Sequence, residues 1–214
     1  MALSGIITAL RILEEPMLNE HPALQSLRPY WASYQAMLKS VDEGQRFKAS
    51  PKETYAHALL IKIKELEHDV QTMRLAVAFV RDISPSVANA AAIYRYHEEY
   101  FLCRLTACMD KAHRLVGAAL LLKQDKCEGK GGQLFVLRAI QASHPELAAS
   151  LERAAAIEAK HKKDRKALGD GLPVLSHDFL TQEAESLDAL SDKTTAAIEA
   201  VLSTLAPIFE LACA

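Results

Sequence analysis

"SPKETYAHALLIKIKELEHDVQTMRLAVAFVRD", residues 50–82, decides the fold class. Ser50 stands as an N-cap, Pro51 at the first helical position and Glu53 at the third, so a capping box is expected to open a helix. Beyond it, Leu59, Ile63, Leu66, Val70, Met73, Val77 and Val80 recur at alternating steps of four and three. That spacing places them on one face of a helix with about 3.6 residues per turn. A half-buried strand would instead alternate at every second residue. The stretch predicts one long helix with a buried face, ended by "DISPSVAN" (82–89).

The same pattern continues outward. A second long helix is expected from about Pro85 to Lys123, with the stripe Tyr94, Phe101, Leu105, Cys108, Ala112, Leu115 and Ala119. Upstream, a short helix over 2–15 ends before Pro16, and another runs from His21-Pro22 to about Val41. Downstream, "QDKCEGKGGQ" (124–133) reads as a flexible loop whose glycines match no phosphate-binding signature. A short helix follows near 132–142. Ser143-His144-Pro145-Glu146 then opens a helix to Leu168, and the last helix carries Leu180, Leu187, Leu190, Thr194, Ile198, Val201 and Leu205, with Pro207 expected to kink or end it. The expectation is all-α, one domain over 1–214: a single-domain helical bundle of about six to seven helices with two long antiparallel central helices.

Composition narrows the functional classes. The net charge of −2 supplies no global cationic field for nucleic acid or an anionic membrane. The start "MALSGIITALRILEEP" lacks a basic n-region and a long apolar core, and no run of 18 apolar residues occurs, so neither a secretion signal nor a membrane span is expected. Cys103, Cys108, Cys127 and Cys213 form no CxxC pair, as expected of reduced cysteines in a cytoplasmic protein.

Polar residues on apolar faces mark the candidate site. On the helix from 145 to 168, Leu147, Leu151 and Ala154 define the buried stripe, and Glu158, His161 and Arg165 continue it, while Lys160, Lys163 and Lys166 point away. Cations near a helix C-terminus complement its dipole, which accounts for the lysines but not for Glu158. Steps of three and four let Glu158, His161 and Arg165 touch. Lys162 belongs to the one concentrated basic patch, Lys160 to Lys166. Glu98 falls among Tyr94, Phe101 and Leu105, where a carboxylate needs a partner, and Arg165 is the natural candidate. Glu98, Glu158, His161, Lys162 and Arg165 are therefore the candidate residues of a polar cleft.

Three short patterns, Glu65-x-x-His68, Asp110-x-x-His113 and Glu158-x-x-His161, raise a di-metal carboxylate site. The first two fail on geometry: His68 falls opposite the apolar stripe, and Asp110 and His113 lie well off the centre of theirs. No cofactor is expected, and no GxSxG, P-loop, HExxH or dinucleotide fingerprint occurs.

The segment "AAIYRYHEEYFLCRLTACMDKAHRLVGAALL" (91–121), with Tyr94, Tyr96, Tyr100, Phe101, Arg104, Asp110 and Lys111, resembles the long central helix of HEPN-type bundles. "RAAAIEAKHKKDRKALGDGLP" (153–173) is similar to the helix bearing that family's Arg-x4–6-His motif. The resemblance implies an all-α bundle, a homodimer, and metal-independent RNA cleavage in which His acts as acid/base and Arg steadies the phosphate. Arg165 matches the family Arg, but the positions where the His belongs hold Asp170, Gly171 and Leu172. His161, one turn earlier, restores the pair in reversed order, so the resemblance implies His161 and Arg165 as catalytic groups, with Glu98, Glu158 and Lys162 binding substrate. Two readings follow beside a metal-dependent enzyme: an RNA- or nucleotide-binding protein with a degenerate nuclease site, and a non-enzymatic interaction or regulatory protein whose same residues form a structural salt-bridge network.

Overall fold

The computed structural model describes residues 18–42, 48–168 and 173–214. Among them the chain is all-α: two 3-10 turns, Leu18–Glu20 and Pro22–Leu24, precede seven α-helices, and no strand occurs. The helices are α1 (Arg28–Asp42), α2 (Pro51–Arg81), α3 (Ala90–Ala119), α4 (Gln124–Glu128), α5 (Gly132–Ile140), α6 (Pro145–Leu168) and α7 (His177–Cys213). The expected helix over 2–15 lies outside the described residues.

α2 begins where its capping box requires. The Glu53 backbone N–H donates to Ser50 Oγ at 3.2 Å, and the Ser50 N–H donates to Glu53 Oε2 at 2.7 Å. The two bonds satisfy donors that a helix start otherwise leaves open. Ser33 Oγ also donates to Glu53, and together these bonds hold its carboxyl below the usual range.

The chain divides into two compact units, and α2, α3, α6 and α7 contribute a segment to each. The first unit takes His68–Met109 and Glu152–Ile198. Its core joins Val70, Met73, Val77 and Val80 of α2 to Tyr94, Phe101 and Leu105 of α3, with Ala154, Leu180 and Leu187. Asp69 meets Arg104 and Phe79 meets His97, so α2 and α3 run antiparallel here. In the second unit, Met17–Glu67, Asp110–Leu151 and Glu199–Ala214, the same two helices are again antiparallel. Tyr55 donates to the Ala119 carbonyl at 2.8 Å, and Lys111 reaches the Glu65 carbonyl. Its core holds Leu24, Leu27, Leu59, Ile63, Leu115, Ile140 and Phe209. Trp31 donates its indole N–H to the Ala56 carbonyl, and Tyr30 donates to the Cys213 carbonyl.

Three expectations need correction. Within 124–133, residues Gln124–Glu128 form α4 rather than loop. α3 starts at Ala90, because Asn89 adopts a left-handed φ of 64°, and stops at Ala119, ahead of Leu121 with φ 53°. Pro207 does not end α7, which continues to Cys213. A helical proline strips the carbonyl four residues back of its partner. That residue is Ser203, which is exposed, so water can take the bond, while Leu205 and Phe209 keep their buried stripe. By length and composition α7 is apolar enough to cross a membrane, with a mean hydropathy of 1.6 over its best 18-residue window. All four cysteines are free thiols.

Candidate functional site

Two polar arrangements occupy opposite flanks of α3 in the first unit. On one flank stands Thr106, whose hydroxyl donates to Glu158 Oε1 of α6 at 2.8 Å. Glu158 and His161 are both half-buried, as expected of side chains that extend an apolar stripe toward the edge of a core. Glu98, 2% exposed, sits on the apolar face with Tyr94 and Phe101, where the sequence placed it. Two helical turns, about 12 Å of rise, separate it from Thr106 along α3. The α6 backbone remains helical through Lys162 and Arg165. Their side chains, and with them the expected Glu98–Arg165 pair, lie outside the described residues.

The other flank holds a group that the sequence reading did not assign. Asp69 is 0% exposed and accepts from Arg104 Nη1 at 3.2 Å. Arg104 also donates to the Tyr100 hydroxyl at 3.2 Å, with its guanidinium 4.8 Å from the ring centroid. Rotation of about 100° per residue places Thr106 some 160° around the helix from Arg104. The signal for Asp69 was present, since it stands three residues after Leu66 and four before Met73, on the stripe itself. Periodicity read only for its apolar members passes over such a residue.

From Arg104 a line of π faces runs outward. Tyr100 and Tyr96 lie nearly parallel, 6° apart, with centroids separated by 6.3 Å. Tyr96 meets His97 edge-on at 5.2 Å, and His97 stacks on Phe79 at 4.9 Å. Tyr96 is 64% exposed and Phe79 is 47% exposed, both unusual for large rings. Steps of four along α3 bring Tyr96, Tyr100 and Arg104 onto one side.

No family model, curated protein or solved structure matches this chain.

His68 is exposed, and among the described residues no cluster of three or more His, Cys, Asp or Glu side chains is arranged to hold a metal ion. His113 is buried although it lies off the centre of the α3 stripe.

Burial holds the His97 imidazole below its ordinary pKa. Protonation is then harder in the folded chain than in the unfolded one, so stability falls as pH drops below the ordinary value of about 6.5. His97→Phe preserves a ring against Phe79 and removes the titration. Thermal melts from pH 7.5 to 5 should show the wild type losing ground to this variant as the solution is acidified. A constant gap would remove His97 from the acid response.

Proposed function

We propose that this chain binds RNA or a nucleotide through its first unit, acting as a homodimeric, HEPN-like helical protein with a degenerate metal-independent ribonuclease site. The observation that carries the reading is the line of rings, exposed at Tyr96 and Phe79, that ends on the Arg104 guanidinium. Every nucleobase has a π face, so aromatic rings and arginine planes hold single strands without reading sequence, at about 1–3 kcal/mol per stacked base. Tyr96 and Phe79 offer such faces on the surface. On the opposite flank, Glu158 and His161, with Lys162 and Arg165 further along α6, are the groups proposed to meet the phosphate and ribose, whereas Glu98, 2% exposed, is too buried to touch a ligand. The 2′-hydroxyl would attack the adjacent phosphate and expel the 5′-oxygen, with His161 taking the hydroxyl proton and passing it to the leaving oxygen while Arg165 steadies charge on the phosphate.

A second reading rests on a different observation. Asp69–Arg104 and Thr106–Glu158 join polar groups to one another inside the fold, as expected of a structural network in a non-enzymatic interaction or regulatory protein.

Fluorescence anisotropy with a 12-nucleotide single-stranded RNA separates the two. The first reading expects Tyr96→Ala to weaken binding about tenfold, the loss of roughly one stacked base. The melting temperature should stay nearly unchanged, because the ring is exposed. His161→Ala and Arg165→Ala should abolish any cleavage while the protein stays folded. If wild-type protein neither binds nor cuts RNA, and the variants lose only melting temperature, the second reading holds.

A further inference from the structure

The second unit carries two adjoining clefts that the reading above does not use. One, of about 350 Å³, has Lys62, Glu128, Arg114 and Cys127 in its wall, with Lys62 and Glu128 paired at 3.3 Å. The other, of about 750 Å³, is lined by Lys48, Lys52, Pro51 and Tyr55. Ala58, Ala118 and Leu121 line both, so the two form one trough with an aliphatic floor. Both volumes fall within the range of small-molecule sites, about 300–1,000 Å³.

Leu121 is the decisive residue. Its N–H donates to the Ala118 carbonyl at 3.1 Å, and the Leu122 N–H donates to the Gly117 carbonyl at 2.8 Å. These bonds make a Schellman end for α3, with Leu121 at the left-handed position usually taken by glycine. A leucine there is strained by its Cβ. Its side chain is also 78% exposed, so little packing within the unit offsets the strain. An apolar side chain kept at this position, on the rim common to both clefts, suits contact with something apolar.

Charge defines the other end of the occupant. Lys48 and Lys52 stand in the wall of the larger cleft, and no carboxylate lines it among the described residues. Lys52 donates one N–H to the Cys213 carbonyl at 2.9 Å, which leaves two N–H groups for a ligand. In the smaller cleft, burial pushes the Cys127 thiol up, so it is an apolar wall rather than a nucleophile. We propose that this trough binds a free long-chain carboxylate, with its alkyl chain over Ala58, Ala118 and Leu121 and its head between Lys48 and Lys52.

Isothermal titration with dodecanoate, held below its micelle concentration, tests the assignment on the full chain. The wild type should bind one molecule. Leu121→Gly should raise the melting temperature by about 2–4 °C through relief of the left-handed strain, yet weaken dodecanoate at least fivefold. Lys48→Glu should weaken it at least tenfold, and dodecanol should bind far less well than dodecanoate to the wild type. Any of four results overturns the proposal: no dodecanoate binding; undiminished binding by either variant; a melting temperature lowered by Leu121→Gly; or association with anionic phosphatidylglycerol vesicles in the absence of binding to monomeric dodecanoate.

Discussion

Arg104→Met is expected to lower the melting temperature by about 4–16 °C. Asp69 is wholly removed from solvent, and Arg104 Nη1 holds it at 3.2 Å. Breaking a buried ion pair from one side costs about 3–5 kcal/mol, because the other charge stays desolvated. The Arg104 side chain is 31% exposed, so water reaches the gap and lowers the figure to about 2–4 kcal/mol. For a chain of this size each kcal/mol shifts the midpoint by about 2–4 °C. Methionine preserves the aliphatic stem and its packing, so the loss reports the guanidinium rather than a cavity. Asp69→Asn added to Arg104→Met removes the buried charge that has lost Arg104 and should restore part of the loss. Melts of the wild type, both single variants and the double variant close the cycle and give the coupling directly. A loss below about 1 kcal/mol would place the pair among ordinary surface ion pairs.

This pair also marks where the sequence was readable and where it was not. The start of α2 was legible because its chemistry is local: Ser50 and Glu53 are three residues apart, and their two hydrogen bonds are formed. The faces of the long helices were legible for the same reason, since a step of 3.6 residues is a property of one segment. Glu98 was placed correctly on the buried side by that argument alone. Tertiary partners were not legible. Nothing near Arg104 in sequence announces Asp69, 35 positions away. Thr106 was likewise absent from the expected site, although its hydroxyl donates to Glu158. Helix ends failed where the usual residue is missing. Leucine at a left-handed stop and a proline on the solvent side of a continuing helix each contradict the composition rule, and each depends on exposure that the sequence does not display. "QDKCEGKGGQ" failed differently, because its glycines were read for flexibility when at least one is there for space.

Gly132→Ala tests that last point and is expected to cost about 3 kcal/mol, at the upper end of what overpacking brings. A Cβ at Gly132 would stand 2.0 Å from the Cys127 carbonyl oxygen and 2.7 Å from its carbon. Both atoms are backbone, so no rotamer change relieves the contact, and either α4 or the start of α5 must move. Gly132 N–H donates to the Gly129 carbonyl at 3.0 Å, closing the turn that makes this approach. Moving α4 would also disturb Cys127, whose Sγ lies where a Cβ on Gly117 would come within 2.6 Å. The adjacent Gly131 provides the control. Its φ of 82° favours glycine, but a Cβ there meets nothing within 4 Å. Gly131→Ala should therefore cost only the left-handed penalty, about 1–2 kcal/mol. Urea melts of the two variants should rank Gly132→Ala as the more damaging, with hydrogen exchange in α4 accelerated beyond that in α2. Equal losses would mean that both glycines serve the turn, and that the close approach of α5 to the Cys127 carbonyl relaxes without consequence.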